Sequence, residues 1–123
     1  MPKITIIEDD DSISYMYKTK FTHAGYQVTT AKNGQEGLRV VEEVMPDIVL
    51  LDLKMPVMSG DEMLEIMRST TWGSEIKVII LTNISRDEAP HTIRHLGISH
   101  YVVKSHSTPK QIEELVSRTI SLS

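Results

Sequence analysis

The chain has 123 residues, room for one compact domain with a real core and not for two. Hydrophobic residues at 40% and charged residues at 24% argue against both a disordered chain and a membrane-spanning one. A formal net charge of −4 speaks against a nucleic-acid backbone or an anionic membrane surface as direct partner, and the lack of cysteine removes disulfides and thiolate metal sites. No secretory signal precedes the first strand-like segment, so the cytoplasm is the expected compartment.

The segment Ile4-Thr5-Ile6-Ile7 is short, β-branched and apolar, and it stops at Glu8-Asp9-Asp10-Asp11, which reads as a buried strand ending at a polar rim. Ile13, Met16, Tyr17 and Phe21 then follow at helical spacing, and Gly25 stands where that helix should stop. Gln27-Val28-Thr29-Thr30-Ala31 is a more polar strand, suited to a sheet edge. Asn33 with Glu36 opens a second helix carrying Leu38, Val41 and Met45. The strand Ile48-Val49-Leu50-Leu51 ends at Asp52, and no helix begins until about Ser59, which pairs with Glu62 ahead of Met63, Ile66 and Met67. Val78-Ile79-Ile80-Leu81 ends at Thr82. Proline is tolerated only in a first helical turn, so Pro90 predicts a short fourth helix starting near Asp87 and carrying Ile93 and Leu96 to a stop at Gly97. Tyr101-Val102-Val103 ends at Lys104, and Thr108-Pro109-Lys110-Gln111 is a capping box opening a last helix with Ile112, Leu115 and Val116.

Strand and helix alternate throughout, which implies right-handed crossovers and a doubly wound parallel sheet covered on both faces. Ligands in such sheets bind outside the carboxyl ends of the strands. There the sequence gathers Glu8, Asp9, Asp52, Thr82 and Lys104. Crowded carboxylates repel and need a cation or a proton. Hard oxygen donors without cysteine or clustered histidine favour Mg2+. A lysine beside a metal-bound carboxylate suits a transferred phosphoryl group, whose oxygens need positive charge on more than one side. Asp10 and Asp11 read as helix-capping and first-turn acids.

Ile6-Ile7-Glu8-Asp9-Asp10, the run Asp47 to Pro56 around Asp52, Ser59-Gly60, Leu81-Thr82, and Gly97 through Tyr101-Val102-Val103-Lys104 together resemble, in that order and spacing, a response-regulator receiver domain of two-component signalling, similar to the chemotaxis receiver. The resemblance covers essentially the full chain as a single receiver domain, 1–123. It implies a five-stranded (βα)5 flavodoxin-like fold with strand order 2-1-3-4-5. It further implies that Asp52 accepts a phosphoryl group from a histidine kinase or histidine phosphotransfer protein. Asp9 and Asp52 would bind Mg2+ directly, Glu8 through water, and the backbone carbonyl of Lys54 would add a ligand. Thr82 and Lys104 would contact phosphate oxygens, and Tyr101 would turn inward as Thr82 moves toward the phosphate. An output domain or partner protein would meet the face of helix 4, strand 5 and helix 5, with phosphorylation-dependent homodimerisation as one outcome. The domain would catalyse only its own phosphoryl transfer and autodephosphorylation.

Three departures from the family pattern surround the site. Ser105 follows Lys104 where proline is usual, so that peptide bond is either trans or a cis bond held by its surroundings at a cost of about 2.5–4 kcal/mol. Asn83 follows Thr82 where a very small residue is usual. Lys54 and Ile84 occupy places from which polar groups can orient attacking water, and with Asn83 they are expected to tune access to Asp52. An aspartyl-phosphate phosphatase is a competing reading, but it would want an aspartate where Lys54 stands. A nucleotide or flavin module would want a Gly-rich or Ser/Thr-rich loop after the first strand in place of four acids. A phosphorylation-independent pseudo-receiver is the remaining alternative. His91 and His95 have the i, i+4 spacing of a helical metal pair, with solvated histidines the plainer expectation.

Overall fold

The computed structural model describes residues 1–121. Strands β1 (Lys3–Ile7), β2 (Gln27–Ala31), β3 (Ile48–Leu51), β4 (Lys77–Thr82) and β5 (His100–Val103) form one parallel sheet in the order β2-β1-β3-β4-β5. Helices α1 (Asp11–His23), α2 (Gly34–Val44), α3 (Gly60–Arg68) and α4 (Pro109–Ser121) cover its two faces. The expected doubly wound, flavodoxin-like architecture and its strand order are therefore present.

Strand side chains alternate between the faces, and the core divides accordingly. Ile4 and Ile6, Ile48 and Leu50, and Ile79 and Leu81 point to the side where Tyr17 and Phe21 of α1 and Ile112 and Val116 of α4 pack. Ile7, Val49 and Leu51, and Val78 and Ile80 point to the side of Val41 on α2 and Met63, Leu64 and Met67 on α3. The central strands are buried on both faces, which is why they read as unbroken apolar runs. The buried Thr5 is satisfied by a 2.7 Å bond between its hydroxyl and that of Thr29. Trp72 packs against the edge of the α2/α3 cluster, as a loop-covering residue should.

The predicted helix starts are found. Asp10 accepts from the Ser12 and Ile13 N–H groups, Asn33 from Glu36 N–H, and Ser59 from Glu62 N–H. Thr108 and Gln111 bond reciprocally, N–H to Oε1 at 2.8 Å and N–H to Oγ1 at 3.2 Å. Gly25 has φ +95° after α1, the left-handed position that favours glycine.

The fourth helix is a correction. The segment between β4 and β5 forms two 3-10 turns, Arg86–Glu88 and His91–His95, in place of an α-helix from Asp87. Pro90 disfavours the helical conformation at the residue before it and offers no N–H to the preceding turn, and Ala89 is extended at φ −70°, ψ 152°. Ile93 still inserts into the core at 3% exposure. The Arg68 guanidinium ties the segment to the end of α3, donating to the carbonyls of Leu96 at 2.7 Å, Gly73 at 2.9 Å and Gly97 at 3.2 Å. With about three residues per turn, His91 and His95 fall on different sides of their turn, which removes the basis for a paired metal site. The sequence-numbered helix 5 is thus α4 here, and the face expected at helix 4, strand 5 and helix 5 is made of the 3-10 segment, β5 and α4.

The loop from β3 to α3 begins at the buried Asp52 and is braced at both ends. Pro56 C=O accepts from Met58 N–H at 2.7 Å around Val57, whose φ is +70°, a γ-turn that a β-branched residue adopts only under strain. Met58 C=O accepts from Gly34 N–H at 2.9 Å, hanging the loop on the start of α2. Gly60 N–H donates to Leu53 C=O at 2.8 Å, and a Cβ at Gly60 would lie 2.0 Å from the Asp52 carbonyl oxygen. Gly60→Ala is accordingly expected to lower unfolding stability by about 1–3 kcal/mol in urea titration and to shift the backbone amide signals of Asp52 and Leu53. Wild-type stability with unmoved signals would contradict this close approach.

Candidate functional site

Four strands deliver the predicted residues to one cleft at the carboxyl edge of the sheet. Glu8 follows β1 and its N–H donates to Ala31 C=O at 3.0 Å; Asp52 follows β3 and its N–H donates to Ile7 C=O at 3.0 Å. The ladder therefore runs on through both acids and fixes their backbones. Thr82 ends β4 at 1% exposure, and Lys104 follows β5 at the start of the 3-10 turn Lys104–His106. Glu8 and Asp52 are buried at 5% and 7% exposure, whereas Asp9 faces solvent. Lys54, Asn83 and Ile84 line the same cleft.

The carboxylates of Glu8, Asp9 and Asp52 each place an oxygen within 4.8 Å of the others. Lys104 Nζ lies between two of them, bonding Glu8 Oε1 and, at 3.0 Å, Asp52 Oδ2. The remaining oxygens are also assigned. Asp52 Oδ1 accepts from Leu53 N–H at 2.7 Å, and Glu8 Oε2 from Asp10 N–H at 3.0 Å. Asp10 turns away to cap α1, as the sequence indicated.

No cis peptide bond is present among the described residues, so Lys104–Ser105 is trans. With Ser105 after it, Lys104 still aims its ammonium into the cleft, at the start of the 3-10 turn that follows β5.

The electrostatics follow from burial and pairing. Burial pushes the Glu8 carboxyl above its ordinary value, against the pull of the Lys104 and Asp10 bonds, and the nearby Asp52 charge adds to the rise. For Lys104 burial acts downward, yet its bond to Glu8 and the charge and bond of Asp52 outweigh it, so the ammonium is held above its ordinary value. The Ser12 hydroxyl and Ile13 N–H lower Asp10.

This donor set fits Mg2+: three converging carboxylates, hard oxygen donors only, and one ammonium that leaves their summed charge negative. Tyr101 lies outside the cleft wall but is linked to it, its hydroxyl donating to Ile84 C=O at 2.6 Å. Sequence reasoning missed the Leu53 and Asp10 N–H donors, the close approach of Gly60 to Asp52, and Arg86, whose guanidinium lies 5.8 Å from the centre of the Tyr101 ring. Of these only Gly60 left a sequence signal, a glycine directly after a helix cap.

The profile of the response regulator receiver domain matches residues 4–117. The chain belongs to the response regulator receiver family. The receiver is 38% identical over 117 residues to the uncharacterized transcriptional regulatory protein YkoG of Bacillus subtilis (strain 168), covering 94% of this chain and 48% of that protein. It is 35% identical over 111 residues to the probable transcriptional regulator ycf27 of Guillardia theta, covering 90% of this chain and 42% of that protein. It spans less than half the length of both. Among solved structures, chemotaxis protein CheY4 of Vibrio cholerae superposes with a TM-score of 0.87 at 27% identity, over 96% of this chain and 98% of that one. No described helix is long and apolar enough to cross a membrane.

Two carboxylates share one ammonium that is only 12% exposed, so removing the ammonium leaves both without their common partner. Lys104→Met is expected to cost about 1–3 kcal/mol of stability at pH 7 by urea unfolding. Because the folded pKa of Lys104 is raised, its contribution in the wild type is fully present below the ordinary lysine value of 10.5 and is lost as pH climbs through the higher folded value. The raised Glu8 acts with the same sign at lower pH: the folded state keeps a proton that the unfolded state has released, so stability falls as pH rises from 4.5 through the folded value. The Lys104→Met deficit should therefore narrow as pH falls toward 4.5. A deficit independent of pH would mean that it does not come from the charge pairing.

Proposed function

We propose that this receiver is phosphorylated on Asp52 with Mg2+ bound and that phosphorylation switches a protein-interaction face. The observation that carries the reading is the treatment of Asp52 itself. One of its oxygens is fixed by Leu53 N–H, the other meets Lys104 Nζ at 3.0 Å, and two further carboxylates stand within 4.8 Å. An oriented nucleophile beside a lysine and a cation-demanding acid cluster is what phosphoryl transfer requires.

An Asp52 carboxylate oxygen attacks the phosphorus of a phosphohistidine in line. The P–O bond forms an acyl phosphate as the P–N bond breaks, and the electron pair leaves with the imidazole of a histidine kinase or histidine phosphotransfer protein. Asp9, Asp52 and the Lys54 backbone carbonyl would hold Mg2+ directly and Glu8 through water, and the ion would supply positive charge to the phosphoryl oxygens. Lys104 and Thr82 contact those oxygens, and Thr82 carries the change to Tyr101 and on to the face of the 3-10 segment, β5 and α4. That face meets an output domain or a partner protein, or a second copy when phosphorylated. In this reading the domain is a self-modifying cytoplasmic switch, catalysing only its own phosphorylation and dephosphorylation.

Acetyl phosphate plus Mg2+ should add one phosphate to the purified protein by intact mass, and Asp52→Asn or a chelator should abolish the gain. No gain under any condition would return the pseudo-receiver. Lys54, Asn83 and Ile84 then set access, with Ile84 excluding water from the acyl phosphate. Ile84→Glu is expected to shorten the dephosphorylation half-life by about tenfold, less than a fully positioned general base gives. An unchanged half-life would remove Ile84 from that role.

A further inference from the structure

The Tyr101 ring is half-buried against the cluster on the α2/α3 side, and its hydroxyl donates to Ile84 C=O at 2.6 Å and approaches Ser85 C=O at 3.4 Å. Ile84 N–H in turn donates to Thr82 Oγ1 at 3.5 Å. One peptide unit on each side of Ile84 therefore joins Tyr101 to the buried threonine of the cleft. None of these contacts involves Asp52. On its outer side the ring is capped by Arg86, whose guanidinium carbon lies 5.8 Å from the ring centroid. The ion pairs among the described residues are Lys32–Asp11, Arg39–Glu43 and those of Lys104, so no carboxylate takes the Arg86 charge. Its nearest acidic neighbours in sequence are Asp87 and Glu88, and the Ser85 hydroxyl engages Glu88 at 3.0 Å.

We propose that Arg86 is a positioning residue that holds Tyr101 inward before phosphorylation, so that the switch of this receiver rests on its inward side. The proposal deepens the reading of Thr82 and Tyr101 given above and rests on it. A cation over a ring face is attracted by the ring quadrupole, and moving Tyr101 outward forfeits that contact together with the Ile84 bond. Burial raises the Tyr101 phenol while Arg86 acts in the opposite direction, as a cation close to the ring must, and a protonated phenol is what donation to Ile84 C=O needs. The expected influence is modest and measurable. A contact of this kind at an exposed arginine shifts an inward-to-outward ratio by about two- to fivefold.

The test reads the ring directly in the unphosphorylated protein. With 13C-labelled tyrosine and Tyr101→Phe for assignment, Arg86→Ala should move the Tyr101 ring signals toward those of the exposed Tyr15. Arg86→Lys should fall between, and Arg86→Glu should go at least as far as alanine. Adding beryllium fluoride with Mg2+, a phosphoryl mimic, should then draw the alanine variant's ring back to the wild-type position while moving the wild-type ring little. Unchanged ring signals in Arg86→Ala, or a wild-type ring that moves as far as the variant's on adding the mimic, would overturn the proposal. If the mimic leaves even the Asp52 amide unperturbed, the phospho-acceptor reading is what fails, and the ring shift without mimic still decides whether Arg86 holds Tyr101.

Discussion

Two buried carboxylates, Glu8 and Asp52, face each other across adjacent strand ends, and a single ammonium from a third strand end lies between them. Most other features of the site follow from meeting that repulsion. Lys104 must arrive from β5, two strands away from β3 in the sheet, so the order β2-β1-β3-β4-β5 is what brings cation and acids together. The ladder bonds of Glu8 and Asp52 to Ala31 and Ile7 hold the acids in place, and N–H donors from Asp10 and Leu53 occupy the oxygens that the lysine does not reach. Glu8 nonetheless stays raised, chiefly by burial and to a smaller degree by the Asp52 charge, which the lysine bond does not fully offset. The three converging carboxylates leave a surplus of negative charge that a divalent cation could take up.

The fold was largely legible because the central strands are buried on both faces and so carry unbroken apolar runs that end at a polar residue. Capping chemistry located the helix starts at Asp10, Asn33, Ser59 and Thr108 for the same reason, since an N-cap is a local bargain between a short polar side chain and the next turn. The fourth helix was misread because its apolar spacing, Ile93 and Leu96, is satisfied equally by a 3-10 turn. Pro90 was weighed only as a constraint on where a helix could start, whereas it separates two turns. Pro90 breaks the segment into two turns, and the Arg68 bonds to Leu96 and Gly97 that anchor them are contacts no local pattern announces.

The acids, threonine and lysine of the site were legible as a set because each closes a strand. Their second partners were not, since the Leu53 and Asp10 N–H donors are backbone groups that every residue possesses. Arg86 escaped for another reason: its partner Tyr101 lies on a different element, and a ring-face contact imposes no sequence spacing. Ser105 taught the opposite lesson. A departure in sequence beside the site proved compatible with a lysine that reaches both acids through a trans peptide bond.

The segment between β4 and β5 also bears on how this face can change over time. It is anchored at few points, chiefly Ile93 in the core and the carbonyls gripped by Arg68, while Asp87, Glu88, His91, Thr92, Arg94 and His95 point into solvent. An α-helix in this place would tie each backbone N–H to a carbonyl four residues back and couple its exposed residues to helix propensity. Two short turns impose neither demand. Exposed side chains here can be exchanged with little consequence for the core, which takes up Ala89, Ile93 and Leu96 of the segment, so this surface can diversify while the cleft residues stay fixed.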